Sequence, residues 1–464
     1  MSEQPLYLGL ELTALRGGSR TRGIGRVAQA YFEELSTRSD VQLLPYSFGE
    51  FPANNIKNQR EWLHKLFDRW HLAWSYRGTK LDSLQIIDPM RTPPFFNKPT
   101  ITMVHDLIPY LYRERYQSNL LSKYLYWRMK RQIRSSDMVV TPSRSTADDL
   151  KMMFNLDPGR IQPIYHGIDH SRFFPRDDSA LELVLEEHGV RRPYFLMVAD
   201  MRSNDPRKRL LEVIRAWDHD KVGEAQLVIV GQTGEYSRLL RENWTGRSDR
   251  LVFPGYVNDG ELACFYTGAQ CLLFPSAYEG FGFPVLEAMA CGTIPVVRNV
   301  GSVKEIAGEQ AVQLPREEYQ EDVMDIVGEF LDESPDVRDE CVEHAQTFKW
   351  DRALDELIEL HRAISGKTEM KEVDESEEEP GPNVRTDGEN PVESEQLESP
   401  AEKQTSDEQP EGTDDTEQDG QPEETDGASG EETSDKSPEE QEEQDSRPTD
   451  EQLEQRKQEI LHGE

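Results

Sequence analysis

The sequence predicts an α/β protein built from two doubly wound domains facing each other across a cleft, with a disordered acidic tail behind them. Three features carry that expectation. Short apolar runs of strand length alternate with amphipathic helical segments twice over, first from residue 6 to about 170 and again from Tyr194 onward. Glycines and charged residues gather where those runs end, which is where open parallel sheets bind their ligands. Composition then changes abruptly at Lys367. From there on, 36 Asp and Glu face 8 Lys and Arg, a net of −28 out of −37 for all 464 residues, leaving an ordinary −9 for residues 1–366.

In the first half, residues 6–12 read as a strand, 17–25 as a glycine and arginine loop, and 26–35 as the first helix. Later strands fall at 85–87, 100–104 and 138–141, with a helix over 145–153. His105 and Asp106 follow the strand at 100–104 directly, so they lie at a strand end facing the cleft. A lone histidine is more often a structural residue satisfied by its neighbours. Asp106 either orients that imidazole or caps the next turn, and capping is the simpler role. The loop Gly17-Gly-Ser-Arg-Thr-Arg-Gly23-Ile-Gly25-Arg26 lacks the G-x-G-x-x-G spacing and is weak as a dinucleotide motif.

The second half places strands at 194–198, 226–230, 251–253, 271–274 and 294–297. After the first of these comes Met201-Arg202-Ser-Asn-Asp-Pro-Arg207-Lys208-Arg209. A guanidinium and an ammonium at a strand end suit the charge that develops on a departing phosphate group; a basic surface turn is the plainer alternative. The densest stretch is 274–297, FPSAYEGFGFPVLEAMACGTIPVV, which packs a strand end, a glycine loop, a short helix and another strand into 24 residues. Gly280 and Gly282 lack the Cβ that keeps a diphosphate off the backbone, Phe281 and Phe283 share that loop, and Pro284 suits a first helical turn. Helix N-terminal N–H groups then face the phosphates. Glu287 falls one turn inside the helix, where a carboxylate accepts both hydroxyls of a ribose, and Glu279 lies beside the phosphates and donor sugar. Gly292 stops the helix.

These residues resemble the E-x7-E signature of family GT4, the large family of retaining glycosyltransferases with the GT-B fold of two Rossmann-like domains, and Gly301-Ser302-Val-Lys-Glu305 is similar to its usual continuation. The resemblance covers residues 1 to about 366. It implies an acceptor domain over 1–172, a nucleotide-sugar domain over 173–349, a helix over 350–366 that crosses back onto the first domain, and the tail over 367–464. His105 then corresponds to the family's catalytic histidine near the donor sugar, and Glu279 joins it. The six-residue step from Arg202 to Lys208 resembles the diphosphate clamp, although Ala199-Asp200 stands where the family has glycine, so that Arg207 is an alternative to Arg202. Gly23 and Gly25 lie at the mouth of the cleft between acceptor and donor, and His166 stands where asparagine is common.

The implied reaction is transfer of a hexose with retained configuration, the nucleotide diphosphate leaving from the face that the acceptor attacks, with no carboxylate nucleophile. The form His-Asp-Leu-Ile-Pro with Gly-Ile-Gly-Arg looks most like mannosyltransferases, so GDP-mannose leads, UDP-sugars follow, and surface polysaccharide or glycoconjugate assembly is the expected setting. No cofactor or metal is expected. The D-x-D of Asp218-His-Asp220 follows a helix instead of a strand and reads as a solvated turn. A sugar-nucleotide epimerase on the same fold and a non-catalytic scaffold acting through its tail are the alternatives.

No apolar run approaches the roughly 20 residues that span a bilayer, no basic-then-apolar signal opens the chain, and the four cysteines show no C-x-x-C pair. Buried free thiols in a reducing compartment follow, and hence a cytoplasmic protein or one peripheral on the cytoplasmic face of a membrane. Residues 110–134 hold seven Lys and Arg against Glu114, with five tyrosines and Trp127. That composition suits anionic lipid, as expected for a lipid-linked acceptor, and equally a solvated helix face. The tail's charge opposes nucleic acid as a partner. The tail lacks the apolar residues to offset its ordering entropy, although 449–461 has the pattern of a short capped helix; its own partner is not legible.

Overall fold

The computed structural model describes residues 4–15, 23–46, 80–90, 98–217, 219–314, 319–332 and 337–367. Two six-stranded sheets form, every described pairing parallel. The first, in the order β2-β1-β3-β4-β5-β6, is built from β1 (Leu6–Glu11), β2 (Val41–Tyr46), β3 (Ser83–Ile86), β4 (Thr100–Met103), β5 (Met138–Thr141) and β6 (Ile161–Pro163). The second, in the order β12-β11-β10-β7-β8-β9, comprises β7 (Tyr194–Val198), β8 (Gln226–Val230), β9 (Leu251–Gly255), β10 (Leu272–Phe274), β11 (Pro295–Arg298) and β12 (Val312–Leu314). Helices cover both faces, so interior strands are buried along their length; all five residues of β8 are buried.

Seven helices position the site: α1 (Gly23–Thr37), α2 (Leu120–Ser135), α3 (Arg144–Phe154), α4 (Asp259–Gly268), α5 (Phe283–Ala290), α6 (Gly301–Ala307) and α7 (Trp350–Ile364). On one face of the first sheet α1 and α7 pack over Met138 and Val140. On the other, α2 and α3 pack over Val139, as the two-residue period of a strand requires. The final helix thus completes the N-terminal core with Ala353, Leu354, Leu357 and Ile358. All four cysteines are buried and unpaired. No helix among the described residues is long and apolar enough to cross a membrane.

Several expectations need correction. Two strands escape the sequence pattern, β2 and β12, and both are sheet edges. Pro45 argues against a strand in sequence yet is tolerated at an edge, where its missing N–H disrupts no second ladder. Residues 161–163, which follow the last strand expected in the first half, pair with β5 as another edge. Gly23 and Gly25, read as loop, begin α1, because burial of Val27, Ala28, Tyr31 and Leu35 sustains the helix against poor local propensity. The rest of that loop, Asp218 and the tail from residue 368 lie outside the described residues.

Candidate active site

Each sheet reverses its direction of winding once, between β7 and β10 in the second and between β1 and β3 in the first. Connections on the two sides of such a point run to opposite faces of the sheet, and open α/β sheets bind their ligands beyond the strand ends there. After β7 the chain makes one tight turn, Pro206–Lys208, begun by Asp205, whose carboxylate accepts the Arg207 backbone N–H at 3.3 Å and the Arg207 guanidinium at 3.1 and 2.6 Å. Asp205 therefore caps the turn and fixes the fork. Arg207 is buried; its Nη1 donates to the Tyr278 carbonyl at 3.0 Å and lies 3.7 Å from Glu279. Lys208 Nζ donates to Glu279 Oε1 at 2.6 Å, an oxygen that the Ser276 hydroxyl also reaches at 2.6 Å. Burial works to raise the Glu279 carboxyl, but Lys208 and Arg207 outweigh it and hold Glu279 below the usual carboxylate range. Arg202 is exposed and its Nε lies 3.0 Å from both oxygens of Asp200. Of the two arginines proposed for the clamp, Arg207 is therefore the one in contact with the Glu279 cluster.

The loop after β10 leads into α5 as its residues suggested. Gly282 takes φ +107° before the helix, Pro284 occupies the first turn, and Gly292 takes φ +74° after it. Glu287 is 3% exposed. Its Oε2 accepts the Tyr266 hydroxyl at 3.0 Å, and its Oε1 accepts Nη1 of Arg26, from α1 in the other half, at 2.5 Å. Arg26 was not singled out in the sequence, and the Gly-Arg step that opens α1 is the one local sign of it.

On the N-terminal side, His105 follows β4, and its Nε2 bonds the Ile87 carbonyl at 3.0 Å. A carbonyl only accepts, so Nε2 carries the proton. Burial drives this imidazole down to about 4 against the support of that carbonyl, so His105 is neutral near pH 7 with Nδ1 an acceptor. The Asp106 carboxylate accepts the Ile108 backbone N–H at 3.0 Å, the capping role. His166 lies 6.1 Å from the His105 ring, stacks on Phe283 at 5.6 Å, and meets Phe281 edge-on at 5.1 Å and Trp350 at 5.5 Å. Burial first, then His105, holds it well below the usual histidine range, and its Nδ1 finds no hydrogen-bond partner among the described residues. Phe281 and Phe283, assigned to the donor from sequence, are engaged here with His166.

The halves meet through the glycine loop. A Cβ on Gly280 would stand 1.8 Å from the His105 carbonyl oxygen. Its missing side chain therefore admits the backbone of the other half, where the sequence suggested a diphosphate. The Gly280 carbonyl accepts the Ser143 hydroxyl at 3.0 Å, and the Tyr278 hydroxyl, set in the N-terminal core, donates to Asp149 at 2.9 Å. Glu305 of α6 accepts the Arg144 and Ser145 N–H groups at 2.7 and 3.1 Å, capping α3 from the opposite half. None of these partners has a local sequence signal, since each pair is more than 100 residues apart.

Comparison with known proteins accords with this geometry. Residues 186–348 match the family Glycosyl transferases group 1, and residues 25–172 match Glycosyltransferase Family 4. The chain is 28% identical over 255 residues to the serotype-specific mannosyltransferase WbdA of Escherichia coli, covering 53% of this chain and 30% of that protein. It is 26% identical over 251 residues to O-antigen chain mannosyltransferase B of Escherichia coli, covering 51% and 62%. The chain thus spans less than two thirds of the length of these curated relatives. Among solved structures, Anabaena HepE in complex with UDP and glucose shares the fold, with a TM-score of 0.57 at 15% identity, covering 77% of this chain and 99% of that one. Matched in both halves and carrying two parallel Rossmann-like sheets, the chain belongs to the GT4 family of glycosyltransferases, the glycosyl transferases group 1, on the GT-B fold.

Proposed function

We propose that the protein is a retaining glycosyltransferase that moves a hexose from a nucleotide diphosphate sugar to a saccharide acceptor in surface polysaccharide or glycoconjugate assembly. GDP-mannose is the first candidate donor, in keeping with the names of the mannosyltransferase relatives, and a UDP-sugar the second, in keeping with the UDP held by HepE. The observation that carries the reading is the Lys208–Glu279 pair with Arg207 beside it, one residue from the point where Gly280 meets the His105 backbone. In this reading Lys208, with Arg207 behind it, meets the charge that grows on the departing diphosphate. Glu287 takes the ribose hydroxyls, and neutral His105 faces the donor sugar, where it orients a hydroxyl without adding charge. Protein cations replace a divalent metal.

A thermal-shift series with GDP-mannose, UDP-glucose and UDP-N-acetylglucosamine, followed by transfer assays in excess EDTA, tests this. One donor should raise Tm by several degrees and transfer should persist in EDTA. No shift with any donor, activity lost in EDTA and restored by manganese, or an epimerised donor without transfer overturns the reading.

The acceptor side of this reading is a membrane surface. Leu120, Tyr124 and Trp127 follow helical spacing on the outer side of α2 and are 86%, 54% and 55% exposed, with Tyr124 stacked on Trp127 at 6.0 Å. Exposed Arg113, Lys123 and Arg131 flank them, whereas Arg128 and Lys130 turn inward to the Met90 and Met153 carbonyls. Apolar rings rimmed by cations match an anionic bilayer. The protein should sediment with phosphatidylglycerol vesicles and not with phosphatidylcholine alone, and Leu120→Ser with Trp127→Ser should abolish this. Equal binding by that double variant refutes the assignment of this face.

A further inference from the structure

Glu287, read above as the acceptor of the ribose hydroxyls, is already met by two side chains of this chain. Both its oxygens are engaged, Oε2 by Tyr266 at 3.0 Å and Oε1 by Arg26 at 2.5 Å. The two partners lie on different sides of it. Tyr266 is wholly buried in the C-terminal core, whereas the Arg26 side chain is 36% exposed, so the route from solvent to the carboxylate runs past Arg26. Arg26 belongs to the other half. It lies in α1, anchored in the N-terminal core by its neighbours Val27 and Ala28, and its Nη2 reaches Asp259 at the start of α4 at 2.7 Å. Asp259 is shared with Arg172, which reaches its other oxygen at 3.0 Å.

We propose that Arg26 is a latch displaced by the donor: its guanidinium closes the Glu287 site and ties α1 to the C-terminal half until a ribose diol takes its place on the carboxylate. This rests on the reading of Glu287 as the ribose acceptor. A guanidinium and a vicinal diol both address a carboxylate through donated hydrogen bonds, and the inner side of Glu287 is already filled by Tyr266, so they compete for the outer side. The exchange replaces a charged donor by a neutral one, which disfavours opening by a ribose alone. A diphosphate that engages the Lys208 and Arg207 cluster supplies the missing attraction. Donor binding and the attachment of α1 are then linked, each weakening the other.

Titration calorimetry of GDP and UDP into full-length wild type, Arg26→Met, Asp259→Asn and Glu287→Ala, with Tm measured for each, tests the latch. Glu287→Ala should weaken the better-bound nucleotide by about tenfold or more. Arg26→Met should tighten it by roughly three- to tenfold, the size of one net hydrogen bond, and Asp259→Asn should tighten it by less. Unaltered binding in Glu287→Ala overturns the ribose reading itself. A loss in Glu287→Ala together with unchanged or weaker binding in Arg26→Met leaves that reading standing and overturns the latch. Should Arg26→Met fail to fold, Arg26→Lys keeps the charge but loses the fork. It should still bind more tightly than wild type, and equal or weaker binding overturns the latch.

Discussion

Arg207 and Glu279, with Lys208 beside them, on the C-terminal side and His105 and His166 on the N-terminal side stand across one seam, yet Arg207 and Glu279 keep their charges and the two imidazoles do not. Partners make the difference. Glu279 has cations at 2.6 and 3.7 Å and is ionised more readily than a free carboxyl, whereas His105 has a carbonyl on one nitrogen and His166 is ringed by aromatic side chains. Burial penalises a charge unless an opposite one compensates it. One wall is therefore charged and the other neutral, as the proposed placing of diphosphate and sugar requires, and Gly280 meets the His105 backbone between them.

The charged wall should be the more sensitive. Lys208→Ala leaves Glu279 with the Ser276 hydroxyl and the more distant Arg207, and transfer should fall by roughly 100- to 1,000-fold with the fold retained. Activity within about twofold of wild type would discard the assignment. On the neutral wall, His105→Ala should lower kcat by about 10- to 100-fold while the nucleotide Kd changes less than about threefold; a change in Kd alone would mark His105 as structural. Gly280→Ala attacks the seam between them. A Cβ 1.8 Å from the His105 oxygen forces the halves apart, at about 1 to 3 kcal/mol of stability and a drop in Tm of several degrees. Its kcat should fall more than its nucleotide affinity, and an unchanged Tm would show that the seam tolerates displacement.

Acid sharpens the contrast. An unfolded histidine binds a proton near 6.5, whereas folded His105 does so only near 4, so the unfolded state holds more protons between those values. The stability His105 contributes is complete above about 6.5 and is lost as pH falls toward 4, by about 3 kcal/mol in all at ~1.4 per unit. His361, bonded to Gln85 at 3.0 Å and driven by burial to about 3, adds a loss of the same sign. Urea melts from pH 7 to 4 should show this, and His361→Gln should flatten the slope. The smallest effect belongs to the residues just after α7. Lys367 donates to Asp82 at 2.6 Å and to the Pro5 carbonyl at 2.9 Å. Truncation after Gly366 should thus cost up to about 1 kcal/mol, and truncation after Lys367 should leave Tm unchanged, which differential scanning calorimetry would resolve.

Where local pattern decides structure, reading residues sufficed. Residues 138–141, 194–198, 226–230 and 350–364 are strands and a helix within the bounds their apolar period indicates, and Gly282, Pro284 and Gly292 mark the limits of α5. Lys208 and Glu279 were legible because each lies in the loop that leaves a strand end and the parallel sheet brings β7 beside β10. The edges β2 and β12 were not, since an edge strand is short or tolerates proline and so lacks the interior signature.

What the sequence alone determined is therefore the family, the two sheets and the strand ends that bear the chemistry, because apolar period, glycine and proline act through the backbone within a few residues. Only the tertiary structure decided what each candidate touches. It placed the His105 carbonyl against Gly280, Phe281 and Phe283 around His166, Glu305 on the N-terminus of α3, and Arg26 on Glu287. Those pairs join separate halves of the chain, and contacts between surfaces that far apart in sequence are set by how the two sheets pack, which no local pattern of residues encodes.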